Sequence, residues 1–393
     1  MNKKLLPITF SILFIASCGG GGGGSSAPSP SISFTTTSTY PRITVGALVN
    51  LTWSATNSES CEASGLWSGT KSVGGSEDVN INNLGDNKFT IQCTGAGGSS
   101  TASLVWQSYR MTYGKVVDGY IRQADVFIDI DNNWTLTSAS EDLAISNNEG
   151  RFNIPYTDGN LVSIGGTDLD SEVLLDKFLM THKLTGYSDF KTITPVTSVA
   201  AFMEDSSLIN EVLGIDASID VLAFDPVPNK GDGGINDYLY EKGNQLTILV
   251  YAIQNISNNL KNDSETTQDY FKAIAKTIEE IYLETETLID IEAKAFVSKV
   301  IDSVIASKNL DISNESKLNT IDALSTFLPI IQVRAEDSIT TSIIRFGLST
   351  FQNDIQAIAN GTASSETIVN CTSNILNYIA EDQSIDLSDI TTK

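Results

Sequence analysis

The stretch Ile193-Thr194-Pro195-Val196-Thr197-Ser198 divides the chain. Before it, apolar and polar residues alternate, as in Val49-Asn50-Leu51-Thr52-Trp53 and Phe89-Thr90-Ile91-Gln92-Cys93, the period-two pattern of half-buried strands. After it the alternation stops and apolar residues recur at helical spacing. Leu246, Leu249, Val250, Ile253, Ile256 and Leu260 share one face; Phe271, Ile274, Ala275, Ile278 and Ile281 share another; Val297, Val300, Ile301 and Val304 form a third. Such stripes bury against one another. Gly214 and Gly361 read as helix stops, and Ser264, Asn314 and Ser365 as starts. The pattern predicts a multidomain chain, β then α: two β-sandwich domains followed by an all-α helical domain over residues 194–393. No period of 20 to 50 residues repeats, which argues against a solenoid.

The 393 residues carry 24 Lys and Arg against 48 Asp and Glu, a formal charge of −24, and removal of Lys3 and Lys4 takes it to −26. A surface of that sign repels polyanions. Nucleic-acid binding needs Lys and Arg to displace counterions, and the chain has no basic stripe, so nucleic acid is excluded as a partner.

Lys3 and Lys4 precede an apolar run over residues 5–16, then Ser17, Cys18 and six glycines. Twelve apolar residues suit a signal-peptide core and fall short of the roughly 20 that a spanning helix needs. The tetrapeptide Ile15-Ala16-Ser17-Cys18 resembles the lipobox of bacterial lipoproteins. That resemblance implies removal of residues 1–17 as a signal peptide, a diacylglycerol on Cys18, and anchorage to a membrane through the lipid. Residues 18–31, nearly all Gly, Ser, Pro and Ala, then form a tether; its roughly thirteen residues after the cysteine reach on the order of 20 Å. The alternative is an ordinary secretory signal followed by an unrelated cysteine, and the glycine leash favours the lipoprotein. Gly19, where the family's inner-membrane members carry Asp, implies the outer membrane. The six-glycine tract also fits GxGxxG, but no strand precedes it and no helix follows, so it reads as linker.

Export to an oxidising space implies a disulfide between Cys61 and Cys93, which closes a loop of 33 residues and stabilises the fold by roughly 3 to 4 kcal/mol. Cys371, on an apolar stripe with Ile368, Ile375 and Ile379, reads as a buried thiol rather than a reactive one.

Residues 32–107 show short strands broken by Gly74-Gly75, Asn82-Asn83 and the glycines around residues 95–98. With Leu51-Thr52-Trp53-Ser54, Ser60-Cys61-Glu62-Ala63-Ser64-Gly65 and Cys93-Thr94-Gly95-Ala96-Gly97-Gly98, this segment resembles a bacterial immunoglobulin-like domain. Trp53 precedes the first cysteine, unlike the antibody order, so the bridge is expected to join strands other than the usual B and F pair. Trp67 is either an exposed aromatic for glycan stacking or, the reading favoured, a ring packed over the disulfide.

Residues 111–193 carry Gly114-Lys115-Val116-Val117-Asp118-Gly119-Tyr120-Ile121, Ala124-Asp125-Val126-Phe127-Ile128-Asp129 and Gly150-Arg151-Phe152-Asn153-Ile154. That order of strands and turns resembles the carboxypeptidase-regulatory-like, transthyretin-type sandwiches of bacterial envelope proteins, which are non-catalytic. The helical part resembles, more weakly, helical regions that follow such sandwiches in bacterial surface proteins.

In Asp129-Ile130-Asp131-Asn132-Asn133-Trp134-Thr135 oxygen-bearing side chains alternate as in calcium loops, since a hard cation takes six to eight oxygens. The EF-hand spacing then fails: Trp134 stands where glycine belongs, and the twelfth position is Ser140, with Glu141 one residue late. Asp129, Asp131, Asn133 and Glu141 are therefore the candidate Ca2+ ligands, with a plain acidic turn as the alternative. His182, the single histidine, removes most zinc sites and leaves any serine triad dependent on one residue; it reads as a surface residue rather than a base. No nucleophile elbow occurs. The expected function is a non-catalytic, lipid-anchored cell-envelope protein that binds or adheres at the cell surface, its partner an envelope protein or a surface glycan. A second reading is an assembly factor that contacts envelope proteins through the helical part. A third is an enzyme on glycans or peptides.

Overall fold

The computed structural model describes residues 27–36, 42–137, 140–187, 190–261, 265–334, 337–366 and 370. Residues 1–17, Cys18 and Cys371 lie outside them. The chain forms a β-sheet region followed by a helical region, in two compact units, Met1–Tyr109 and Arg110–Lys393.

The first unit is a sandwich. One sheet orders β1 (Ser31–Thr36), β3 (Leu48–Thr56) and β6 (Gly74–Asn80); the other orders β2 (Arg42–Thr44), β8 (Gly98–Tyr109), β7 (Gly85–Gly95), β4 (Ser60–Gly65) and β5 (Gly69–Lys71). The alternation read from the sequence sets the inner faces: Val49, Leu51 and Trp53 point inward from β3, and Phe89, Ile91 and Cys93 from β7. Cys61 and Cys93 stand directly opposite in the β4–β7 register and are bonded, so the bridge links neighbours within one sheet. Trp67 is 3% exposed, stacked 5.5 Å from Phe34 and edge-on to Trp53. Its place in the core removes it as a glycan platform.

The second unit begins with β9 (Met111–Val116), β10 (Ile121–Arg122), β11 (Asp125–Asp129), β12 (Leu143–Ile145), β13 (Arg151–Pro155), β14 (Asn160–Ile164), β15 (Thr167–Asp168), β16 (Leu179–Lys183) and β17 (Phe190–Ile193). They form a four-stranded sheet β12-β11-β14-β16, a three-stranded sheet β13-β9-β17 and a small β10-β15 pair. Helices α1 (Pro195–Phe202), α2 (Ile209–Val212), α3 (Ile235–Lys261), α4 (Gln268–Thr285), α5 (Lys294–Lys308), α6 (Asn314–Phe327), α7 (Asp337–Leu348) and α8 (Thr350–Ala359) follow. Among the described residues no helix is long and apolar enough to cross a membrane.

The turn from strand to helix at residue 194 has a local cause. Thr194 is extended and caps α1: its hydroxyl accepts from Thr197 N while the Thr197 hydroxyl accepts from Thr194 N, and Pro195 occupies the first helical turn, where its missing N–H costs nothing.

Separate domains over 111–193 and 194–393 were the expectation; the structure instead gives one compact unit with one continuous core. Phe127, Phe178, Ile193, Val199, Leu249, Phe271 and Phe351 belong to the same buried cluster. The reason lies at β16, the end of its sheet, whose free edge would otherwise expose peptide groups. The hydroxyl of Ser198 on α1 accepts from Thr181 N at 2.9 Å, and Thr197 donates to Thr181 O at 3.1 Å. Thr267, just before α4, accepts from Leu179 N at 2.8 Å and donates to Leu179 O at 2.5 Å. Helical hydroxyls complete the sheet edge.

Candidate functional site

Strand β11 delivers Asp129 to the start of a loop that rejoins the sheet at β12. Asp129 is fully buried and turns its carboxylate back over the loop, accepting from Asn133 N at 3.3 Å and Trp134 N at 3.2 Å. Asp131 accepts from Asn133 N at 3.2 Å. Glu141, 8% exposed, accepts from Ile130 N at 2.9 Å on one oxygen and from Thr137 N at 2.7 Å on the other. The loop therefore winds around its own carboxylates. Asn132 and Trp134 adopt left-handed conformations, with φ of 58° and 61°. Trp134 thus takes the turn for which EF-hand loops use glycine. A bulky side chain there costs on the order of 1–3 kcal/mol, offset by contact of its ring with Phe202 at 5.0 Å between centroids.

One oxygen from each of Asp129, Asp131 and Glu141 lies within 4.8 Å of the others. Two ligands on one calcium ion, each at 2.3–2.6 Å, are separated by no more than about 5 Å, so the trio fits a hard cation. The three carboxylates among the four residues expected from the sequence are brought together. Asn133 stands beside them differently: its amide oxygen accepts from Thr135 N and Oγ at 2.7 and 2.6 Å, and its NH2 faces Asp131 at 2.8 Å. The tight Asx turn holds Asn133 as a donor to the cluster. Burial pushes the Asp129 carboxyl up, the nearby acids add to that, and the Trp134 N–H opposes it. A cation held by Asp129, Asp131 and Glu141 would neutralise this charge and lock the loop; its chemistry would be structural.

A second acidic group escapes sequence reading. Asp118 and Gly119 form the turn between Val117 and Tyr120, a position that in an isolated hairpin faces water. Helix α3 covers it: Asn244 Nδ2 donates to Asp118 O at 3.2 Å. Asp118 is 4% exposed, and among the described residues no hydrogen bond of normal geometry reaches either carboxylate oxygen, although Thr247 is close enough to ease the charge. Burial first, then the charge of Asp168, pushes its carboxyl up to about 8. Gly119 has no alternative here, since a Cβ would sit 2.1 Å from Asp168 Oδ1. Asp170 is compensated, by Lys230 at 2.6 Å and the Tyr240 hydroxyl at 2.5 Å.

His182, expected at the surface, is 2% exposed on β16, with Nδ1 2.9 Å from Thr192 O. Burial lowers its pKa to about 4, so it is a neutral core residue at pH 7. The sheet and the helices packed on it bury a strand position that its polar neighbours suggested was exposed.

No family model matches the chain, and no curated protein matches its sequence. Solved structures similar to part of it include the major pilin subunit of Bacillus cereus, at 9% identity over 42% of this chain and 68% of the pilin, with a TM-score of 0.18. Another is the three N-terminal domains of the highly immunogenic outer capsid protein of bacteriophage RB49, at 10% identity over 39% of this chain and 68% of that one, with a TM-score of 0.18. At scores this low, the functional reading rests on the chain's own residues.

Proposed function

We propose that this protein is a non-catalytic, lipid-anchored component of the bacterial cell envelope, held in the outer membrane through Cys18, that works by binding at the cell surface. The observation that carries the reading is the buried Cys61–Cys93 disulfide, formed between directly opposed strand positions. Disulfides of this kind persist in oxidising compartments, which supports an extracytoplasmic location and agrees with the basic, apolar and small-residue order of residues 3–18. The disulfide-stapled sandwich serves as a spacer above the tether, and the unit over residues 110–393 carries the binding surface. The acidic loop of Asp129, Asp131 and Glu141 takes a calcium ion that rigidifies this unit in an extracellular medium.

Mass spectrometry of the mature amino terminus tests the anchor: a diacylated Cys18 as first residue is expected, and an uncleaved, unmodified terminus overturns it. Protease treatment of intact cells tests the orientation, since complete protection of the chain is incompatible with surface binding.

A further inference from the structure

Where α3 passes the junction of α7 and α8, a pocket of about 380 Å³ opens, within the 300–1,000 Å³ range of small-molecule sites. Tyr251 and Asn255 line it from α3, and Thr350, Gln352, Asn353 and Gln356 from α8, with Leu348 at the end of α7 and Ser349 between α7 and α8. None of these side chains carries a formal charge at neutral pH. In a chain of net charge −24, the lining itself holds neither a carboxylate nor a cation; Asp176, outside it, is the charge that acts on the Tyr251 phenol.

What the wall offers instead is paired hydrogen-bonding groups. Asn255, Asn353 and Gln356 bring amides to it, each with an acceptor and two donors of which some are used within the protein, and Thr350 and Tyr251 add hydroxyls; Gln352 is buried and bonded internally. Burial raises the Tyr251 phenol, which keeps it a neutral donor. A ligand whose own groups each donate and accept, a polyhydroxylated one, matches that set. Leu348 is buried, so the half-buried Tyr251 ring supplies the apolar surface against which the C–H face of a sugar ring can lie.

The amides are also held in place. Gln352, 4% exposed, donates to Gly347 O at 2.6 Å and accepts from Asn255 Nδ2 at 3.3 Å; Gln356 Nε2 donates to Asn255 O at 3.2 Å. These bonds use one N–H of each of Asn255 and Gln356 and leave their amide oxygens without a donor among the described residues. The Ser349 hydroxyl donates to Arg345 O at 2.6 Å and makes no cap on α8.

We infer that the pocket between α3 and α8 binds a neutral saccharide, with the amides of Asn255, Asn353 and Gln356 on its hydroxyls and Tyr251 against its ring. The inference rests on the reading of the protein as a binding protein and names its ligand class. Titration calorimetry of the mature chain with chitotriose, cellotriose and maltotriose, and with trigalacturonic acid as the charged comparator, tests it. Saturable binding of at least one neutral trisaccharide is expected, weakened tenfold or more by Asn353→Ala and by Gln356→Ala at an unchanged thermal midpoint. Asn353 is exposed and Gln356 half-buried, so neither truncation opens the core. Absence of binding by all three neutral sugars at millimolar concentration, equal binding by the variants, or preference for the acidic trimer overturns the inference. A chain that adheres to cells yet takes none of the sugars refutes the pocket alone; one missing from the envelope refutes the broader reading.

Discussion

A carboxylate oxygen of Glu141 lies within 4.8 Å of one on Asp129, although the two residues stand near opposite ends of the loop that joins β11 to β12. With Asp131 between them, the trio is expected to bind calcium in the native state alone, so that calcium raises the melting temperature and a chelator lowers it. At a hundredfold excess over Kd the gain is about 2.7 kcal/mol. Glu141→Gln should abolish the calcium response. It should also cost about 1–3 kcal/mol without metal, because the amide accepts at only one position where Glu141 now holds Ile130 N and Thr137 N. A midpoint indifferent to calcium and chelator leaves the loop an acidic turn.

Asp118 sets an alkaline sensitivity. Its carboxyl titrates near 8 in the folded chain against 3.8 unfolded, so the native state binds the extra proton across that window. Its contribution is present below pH 3.8 and is lost as pH rises toward 8. Asp118→Asn keeps the shape and removes the charge. The variant is expected to be more stable than the parent at pH 8–9, by on the order of a few kcal/mol, and to differ little at pH 4; urea midpoints across this range decide it.

His182 acts on the acid side. Its pKa falls from 6.5 to about 4 on folding, so below pH 6.5 the unfolded chain takes up a proton that the native chain refuses. Stability falls between pH 6.5 and 4, by on the order of 3 kcal/mol for this group. His182→Gln should flatten that part of the profile. An unchanged acid slope in the variant would falsify the assignment.

Thr267 carries both peptide groups of Leu179 at the end of the sheet. Thr267→Val preserves the shape and leaves a buried N–H and C=O unpaired, a loss of about 2–4 kcal/mol, whereas Thr267→Ser should recover most of it. Hydrogen exchange at the Leu179 amide gives a local check, with protection expected to drop in the valine variant.

Replacing Cys61 and Cys93 together by Ala removes a cross-link that closes a 33-residue loop and should destabilise the first sandwich by roughly 3–4 kcal/mol. The unit over residues 110–393 has a core of its own, so its transition should stay where it is. A common shift of both transitions counts against independent folding.

Much of this was legible in local pattern. Inward positions of β3 and β7 follow from alternation, and the buried faces of α3, α4 and α5 follow from helical spacing, because both periods are properties of the backbone. The carboxylates of Asp129 and Asp131, two apart in the sequence, are brought within reach of each other by the tight loop. The bonds of the Asn133 amide oxygen to Thr135 depend on loop geometry and could not be read from spacing.

The sequence by itself determined the β-then-α order and the acidic loop, which rest on residue type and short spacing, and pointed to the Cys61–Cys93 pair through the export signal. Tertiary structure alone decided that His182 and Asp118 are buried, that residues 110–393 share one core, and that Tyr251 and Asn255 meet Asn353 and Gln356 across a neutral pocket. The physical reason is one of range. Whether a strand edge or a turn is wet depends on what covers it, and the covering groups, Ser198 and Thr267 over β16 and Asn244 over Asp118, come from helices 17, 88 and 126 residues away in the chain.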